Sequence, residues 1–266
     1  MSRLHLTFNC KGDTLAATLD TAPSSTGLLL VSGGNELRSG AFAGQAMLAR
    51  QIAKAGFPVF RFDRRGVGDS EGENRGFERS RSDILAAIEA FRAIAPQVTK
   101  IVAFGNCDAA SALMLAKGAG CDALVLSNPW TIEDGADDTP PPAAVRSRYL
   151  EKLKNPKEVW RLLSGGVDLR KLFGGLQQAS KAKPEPSGLA ERMQAGIADY
   201  EGTVQFVLAS EDRTAQVFDS VWPKEDARVN RCDGATHAYV EPDASAWLEK
   251  RILSVLRGLC PGKKAG

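Results

Sequence analysis

Histidine is the scarcest reactive residue in this chain of 266: there are two, His5 and His237. The five cysteines (Cys10, Cys107, Cys121, Cys232 and Cys260) are odd in number, scattered, and form no C-x-x-C pair. That distribution excludes a disulfide framework and a structural zinc site, so no metal and no cofactor is expected. It also suits a reducing, cytoplasmic compartment. No apolar run approaches the length of a bilayer span, and the first ten residues lack the apolar core of a signal peptide. A net charge of +2 gives no electrostatic case for nucleic acid. No internal repeat is visible. The composition, 43% hydrophobic and 25% charged, is that of a soluble globular protein. The length fits one large α/β domain with an insertion.

Two short alternating strands are expected at Leu4–Asn9 and Thr14–Leu19, joined by the turn signal Lys11-Gly-Asp13. Gly27-Leu-Leu-Leu-Val31 is a continuous apolar run, as in a fully buried strand. A helix is expected over Phe42–Ala55 and a strand at Pro58–Phe62. A second helix follows over Arg79–Ile94, then strands at 101–105 and Ala123–Ser127. Alternation of this kind predicts a mostly parallel central sheet flanked by helices. Residues 129–202 break the pattern with helical stretches, Pro140-Pro-Pro142 and paired glycines, and read as a helical cap inserted above the sheet's C-terminal edge. Strands at Thr203–Leu208 and Ala227–Arg231 and a helix over Asp243–Leu259 complete a core of residues 1–128 and 203–266.

The run from Ile101 to Leu113 is an apolar strand turning into a small-residue helix, with Gly105-Asn-Cys-Asp-Ala109 at the turn. This is the glycine–x–nucleophile–x–small pattern of a nucleophile elbow, with cysteine in the reactive place. Gly105 lets the chain fold back, Ala109 lets the helix approach, and the helix N-terminus behind Cys107 favours a thiolate. An arbitrary cysteine in such a corner is most simply a small buried apolar residue. The order of the remaining residues argues otherwise. His237 falls in the loop after the last strand, and Glu211-Asp212 follows the strand before it. Asp212 is the favoured orienting acid and Glu211 the alternative. His237 would pair with the Cys107 thiol while Asp212 holds the imidazole tautomer. A free thiol titrates near about 8.5, so such activation is needed for a large thiolate fraction. Backbone donors for an oxyanion are expected from Asp108, after the nucleophile, and from Gly34 and Asn35 in the loop Gly33-Gly34-Asn35.

With these residues in view, the chain resembles the α/β-hydrolase superfamily over nearly its whole length. The elbow is one marker and Asp63-Arg-Arg-Gly-Val-Gly-Asp-Ser70 another. Together with Gly56-Phe-Pro-Val-Phe-Arg-Phe62, Cys107-Asp-Ala-Ala-Ser111 and Glu211-Asp-Arg-Thr-Ala-Gln-Val-Phe218, the pattern more narrowly resembles the exosortase A system-associated hydrolases. These are bacterial proteins linked to protein export and exopolysaccharide production. The resemblance implies an α/β-hydrolase fold and a cytoplasmic hydrolase of unassigned substrate. Two positions depart from the pattern: Ser32 stands where many members carry histidine, and Ala109 replaces the elbow's third glycine.

The expected reaction is cleavage of an ester or thioester through an acyl-Cys107 intermediate, on a small-molecule or carrier-linked acyl substrate. Two alternatives stay open: an acyltransferase using the same intermediate, and a binding protein that keeps the fold without the chemistry. Basic residues of the cap, Arg146 and Arg148 among them, are candidate contacts for an anionic substrate. A run of this kind is most simply a solvated helix face. Substrate identity and oligomeric state are not legible.

Overall fold

The computed structural model describes residues 2–132 and 188–260. Most of the expected cap, including Arg146 and Arg148, lies outside the described residues. Among these residues eight strands form one sheet: β1 (Arg3–Cys10), β2 (Asp13–Asp20), β3 (Thr26–Val31), β4 (Val59–Phe62), β5 (Lys100–Asn106), β6 (Ala123–Ser127), β7 (Thr203–Ala209) and β8 (Val229–Cys232). Their order is β1-β2-β4-β3-β5-β6-β7-β8. The β1–β2 hairpin is antiparallel and joins β4 antiparallel; every pairing from β4 onwards is parallel. Parallel strands need crossovers, and among the described residues six helices supply cover: α1 (Gly44–Lys54), α2 (Arg81–Ile94), α3 (Asp108–Leu115), α4 (Gly188–Ala198), α5 (Arg213–Val221) and α6 (Pro242–Gly258).

Strand periodicity divides the core in two. On one face Leu28 and Leu30 of β3, Val102 and Phe104 of β5 and Val125 of β6 meet Leu48 and Ile52 of α1 and Ile252 and Leu256 of α6. On the other, Leu29, Val31, Ile101, Leu124 and Phe206 meet Ile84 and Phe91 of α2, Leu113 of α3, Met193 of α4 and Phe218 of α5. Buried on both faces, the central strands carry no polar alternation, as the Leu28–Val31 run leads one to expect. No described helix is long and apolar enough to cross a membrane.

Two stretches differ from the sequence reading. Phe42 does not open a helix: Phe42 and Ala43 stand at φ 52° and 58°, and α1 begins only at Gly44. Phe42 is consequently 86% exposed, although its spacing had placed it on the buried face. Helix α4 falls within the interval 129–202 yet packs in the core. A Cβ at Gly196 would stand 2.2 Å from the Met114 carbonyl oxygen, so α4 and α3 lie in direct backbone contact. Leu189, Met193 and Ile197 complete its buried stripe. This is the crossover helix that the parallel β6–β7 pair requires.

Helix α5 is fastened by three rings. Phe206 of β7, Phe218 and Trp222 lie with centroids 4.8–5.3 Å apart. Phe218 is fully buried, so Phe218→Ala is expected to cost about 3–5 kcal/mol, read as a lower urea midpoint.

Candidate active site

The elbow turns where the spacing predicts. Cys107 adopts φ 61°, ψ −129° between the end of β5 and the start of α3. A Cβ at Gly105 would stand 2.7 Å from the Ala109 carbonyl carbon, so strand and helix are as close as glycine allows. The Cys107 N–H donates to the Ser127 carbonyl (2.9 Å), and its own carbonyl accepts from Ala110 (3.1 Å) and Trp130 (3.3 Å). A main chain held on both sides sustains a conformation that costs a non-glycine residue about 1–3 kcal/mol. The thiol is free and partly exposed, whereas Cys10, Cys121 and Cys232 are buried.

His237 reaches the elbow from the loop between β8 and α6. Its Nδ1–H donates to Asp212 Oδ2 at 3.0 Å, and the ring shares a second hydrogen bond with Cys107. Asp212 is buried, caps the N-terminus of α5, and accepts from the Ala215 N–H at 3.0 Å on the same oxygen. Glu211 is exposed, its main-chain N–H bound to the Ala235 carbonyl. Of the two carboxylates, Asp212 is therefore the one on the imidazole. His5, in β1, is exposed and far along the sheet edge from this site. The hydrogen bonds to Asp212 and then Cys107 raise the His237 pKa to about 10, against a partial desolvation that lowers it. The imidazolium is thus the favoured form through neutral pH.

Three supporting residues escaped the sequence reading. The His237 carbonyl accepts from Asn106 Nδ2 (3.2 Å) and Asn128 Nδ2 (3.3 Å), which also links to Asn106 Oδ1 (2.9 Å). Asn128 Oδ1 in turn accepts the Ala209 N–H at 2.9 Å. The buried Tyr239 hydroxyl donates to the Val207 carbonyl (3.1 Å) and accepts from Ser127 (3.3 Å). Asn128 carried a faint signal, a polar residue directly after a buried strand. Tyr239 carried none.

The glycine loop holds a less expected arrangement. The Gly34 N–H donates to Asp108 Oδ1 at 2.6 Å, so the side chain after the nucleophile occupies one of the expected oxyanion donors. Asp108 Oδ2 lies 3.5 Å from Arg64, whose guanidinium also donates to the Gly34 carbonyl. The main-chain N–H groups of Asp108 and Asn35 have no acceptor among the described residues. Asn35 Oδ1 accepts from Asn74 (2.8 Å). The motif 63–70 frames this loop: buried Asp63 accepts from the Arg38 N–H and guanidinium, and Arg64 reaches Gly34.

An alpha/beta hydrolase family model matches residues 28–250, spanning the elbow, the acid and the histidine. The chain belongs to the alpha/beta hydrolase family. Solved alpha/beta hydrolases share its fold at low identity. GrgF of Penicillium sp. sh18 is 18% identical with a TM-score of 0.65, over 97% of this chain and 99% of that one. The esterase Pf2001 of Pyrococcus furiosus is 13% identical with a TM-score of 0.62, over 97% and 90%. XC6422 of Xanthomonas campestris, described as a serine hydrolase without lid, is 16% identical with a TM-score of 0.59, over 99% and 97%. No curated protein matches the chain.

With two histidines, the raised pKa is directly observable. The His237 ring proton resonances are expected to titrate near pH 10, far above the ordinary 6.5. Asp212→Asn removes the largest cause and should bring the midpoint down towards the ordinary value. A histidine whose folded pKa is raised stabilises the fold fully below pH 6.5 and progressively less as pH rises to about 10. The Asn variant should lose that decline.

Proposed function

We propose that this alpha/beta hydrolase cleaves an ester or thioester through an acyl-Cys107 intermediate, with His237 as acid–base partner and Asp212 as its orienting carboxylate. The observation that carries the reading is the chain of contacts from Asp212 through His237 to Cys107, at an elbow of strained backbone. Cys107 attacks the acyl carbon as a thiolate, and the tetrahedral oxyanion forms beside the start of α3. The His237 imidazolium then gives its proton to the leaving alcohol or thiol. The resulting neutral imidazole takes a proton from water, which attacks the thioester and releases the acid. The narrower likeness to the exosortase A system-associated hydrolases, a cytoplasmic setting and a carrier-linked substrate belong to the same proposal.

A panel of p-nitrophenyl esters and acyl thioesters, run beside Cys107→Ala, tests this. The wild type should turn over at least one class and the alanine variant none; equal rates in both would refute a cysteine nucleophile. Acyl transfer to an added amine or alcohol in preference to water would make the protein an acyltransferase. Limiting iodoacetamide should alkylate Cys107 ahead of Cys260, Cys10, Cys121 and Cys232. Labelling of those four with Cys107 untouched would support a binding protein that keeps only the fold.

Asp108 imposes a condition on this chemistry. An oxyanion on the Gly34 N–H and a carboxylate on the same donor repel by about 4 kcal/mol at 4 Å and an effective dielectric of 20. If Gly34 is a donor, Asp108 has to withdraw as the oxyanion forms. Asp108→Ala should therefore bind a peptidyl or acyl aldehyde, which forms a tetrahedral adduct on the thiol, about tenfold more tightly than wild type. Weaker inhibition of the variant would mean that the oxyanion uses other donors.

A further inference from the structure

His237 is bound to Asp212 through its ring and to two asparagines through its carbonyl. The main chain leading into it is fastened from another direction. The Tyr239 N–H donates to the Thr236 carbonyl at 3.0 Å, which makes His237 the first corner of a tight turn over residues 236–239. Tyr239 stands at φ 50°, a left-handed conformation that a residue with a side chain keeps only where its surroundings hold it. Two residues on, Glu241 reaches back across this turn. Its carboxylate accepts the Thr236 hydroxyl at 2.7 Å and the Thr236 N–H at 3.2 Å. On the other side of the same peptide, the Ala235 carbonyl accepts the N–H of Glu211, the residue before Asp212, at 3.0 Å.

Glu241 spends its side chain in an unusual way. It is the residue from which α6 starts, with φ −67° and ψ 135°, and a side chain in that place normally accepts from the first N–H groups of the helix. Glu241 makes no such bond, and Pro242 at the first helical position removes one of the donors. Serine, threonine, aspartate and asparagine cap helices well; glutamate, one methylene longer than aspartate, reaches past the helix end to the turn instead. The bonds from Thr236 hold the Glu241 carboxyl below its ordinary range, so it is ionised at neutral pH and both bonds are charge-assisted. The Ala235–Thr236 peptide is thus bonded on both sides, and the His237 carbonyl is held beyond it. The imidazole stands on a main chain fixed before and after it.

We propose that Glu241 is a positioning residue for His237: its carboxylate closes the 236–239 turn and so sets where the imidazole stands between Asp212 and Cys107. The proposal rests on the reading of Cys107, His237 and Asp212 as one reacting chain. Glu241 acts through the main chain of the histidine loop, and its effect is measured without turnover.

Glu241→Asp in the full chain separates positioning from stability. Aspartate suits the start of α6 better, but from the same backbone its side chain is too short to hold both Thr236 donors. The urea midpoint should therefore stay close to that of the wild type. The His237 ring titration should fall from about 10 towards the ordinary 6.5. Iodoacetamide should alkylate Cys107 about tenfold more slowly at pH 7, because the thiol loses a well-placed imidazolium. Thr236 supplies a second arm. Thr236→Val loses the hydroxyl and should move both readouts in the same direction, whereas Thr236→Ser keeps both donors and should leave them in place. Should Glu241→Asp fail to fold, the Thr236 pair carries the test. Wild-type values in Glu241→Asp or in Thr236→Val overturn the proposal, as does an equal change in Thr236→Ser. If the readouts respond as stated while Cys107→Ala cleaves esters as fast as the wild type, the acyl chemistry fails and the positioning role stands.

Discussion

The backbone of Cys107 is the constraint from which the site is built. A residue with a side chain resists φ 61°, ψ −129°, and this one is held there from both directions. Its N–H is tied to Ser127 at the end of β6, and its carbonyl to Ala110 inside α3 and to Trp130 beyond β6. The strained peptide thereby stands at the junction of two parallel strands and a helix, none of which can shift alone. Gly105 and Ala109 make that junction possible by removing bulk where strand and helix touch. The helix N-terminus comes to lie behind the sulfur as a result of the turn itself, and its partial positive charge acts on whatever anion forms there.

The next step outward is Asn128, which also has positive φ and also stands at a strand end. It joins β5 through Asn106, β7 through the Ala209 N–H, and the histidine loop through the His237 carbonyl. The main chain of the imidazole-bearing residue is thus bonded to the strands that carry the nucleophile and lead to the acid. Buried amides with most of their hydrogen-bonding capacity used specify one arrangement, since any slip strands a polar group in a dry interior. The placement of His237 relative to Cys107 is therefore tied to the sheet.

What the sequence disclosed and what it hid follow from the range of the forces involved. Strand periodicity, the glycine–cysteine turn and the order of Cys107, Asp212 and His237 are local or ordered along the chain, and each could be read without coordinates. The carboxylate on the imidazole is likewise the one that strand-end geometry favours. The elements that stayed hidden depend on partners distant in sequence. Asp108 meets Gly34 across 74 residues and Asn128 meets His237 across 109. Phe42 was misplaced for a different reason: its spacing suits a helix face, but two successive left-handed residues interrupt the helix where no propensity marks them. Helix α4 was placed with the cap because the strand–helix alternation is broken before it, while the packing that binds it to α3 is invisible in sequence.

The loop 63–70 shows why so much charge is kept near this site. Asp63, Arg64 and Asp108 are mostly buried, and buried ion pairs seldom stabilise a fold more than apolar packing of the same volume would. Their contribution is positional. Arg38 is drawn to Asp63 and Asp69, Ser70 bridges the Asp63 carbonyl and the Ala16 N–H, and Arg64 holds the Gly34 carbonyl. These bonds set the Gly34 peptide against the elbow. The same guanidinium faces the Asp108 carboxylate, so that carboxylate can leave the Gly34 N–H without becoming an uncompensated buried charge. Arg64 thus links the shape of the loop to the charge beside the nucleophile, and a neutral side chain in its place would lose both together.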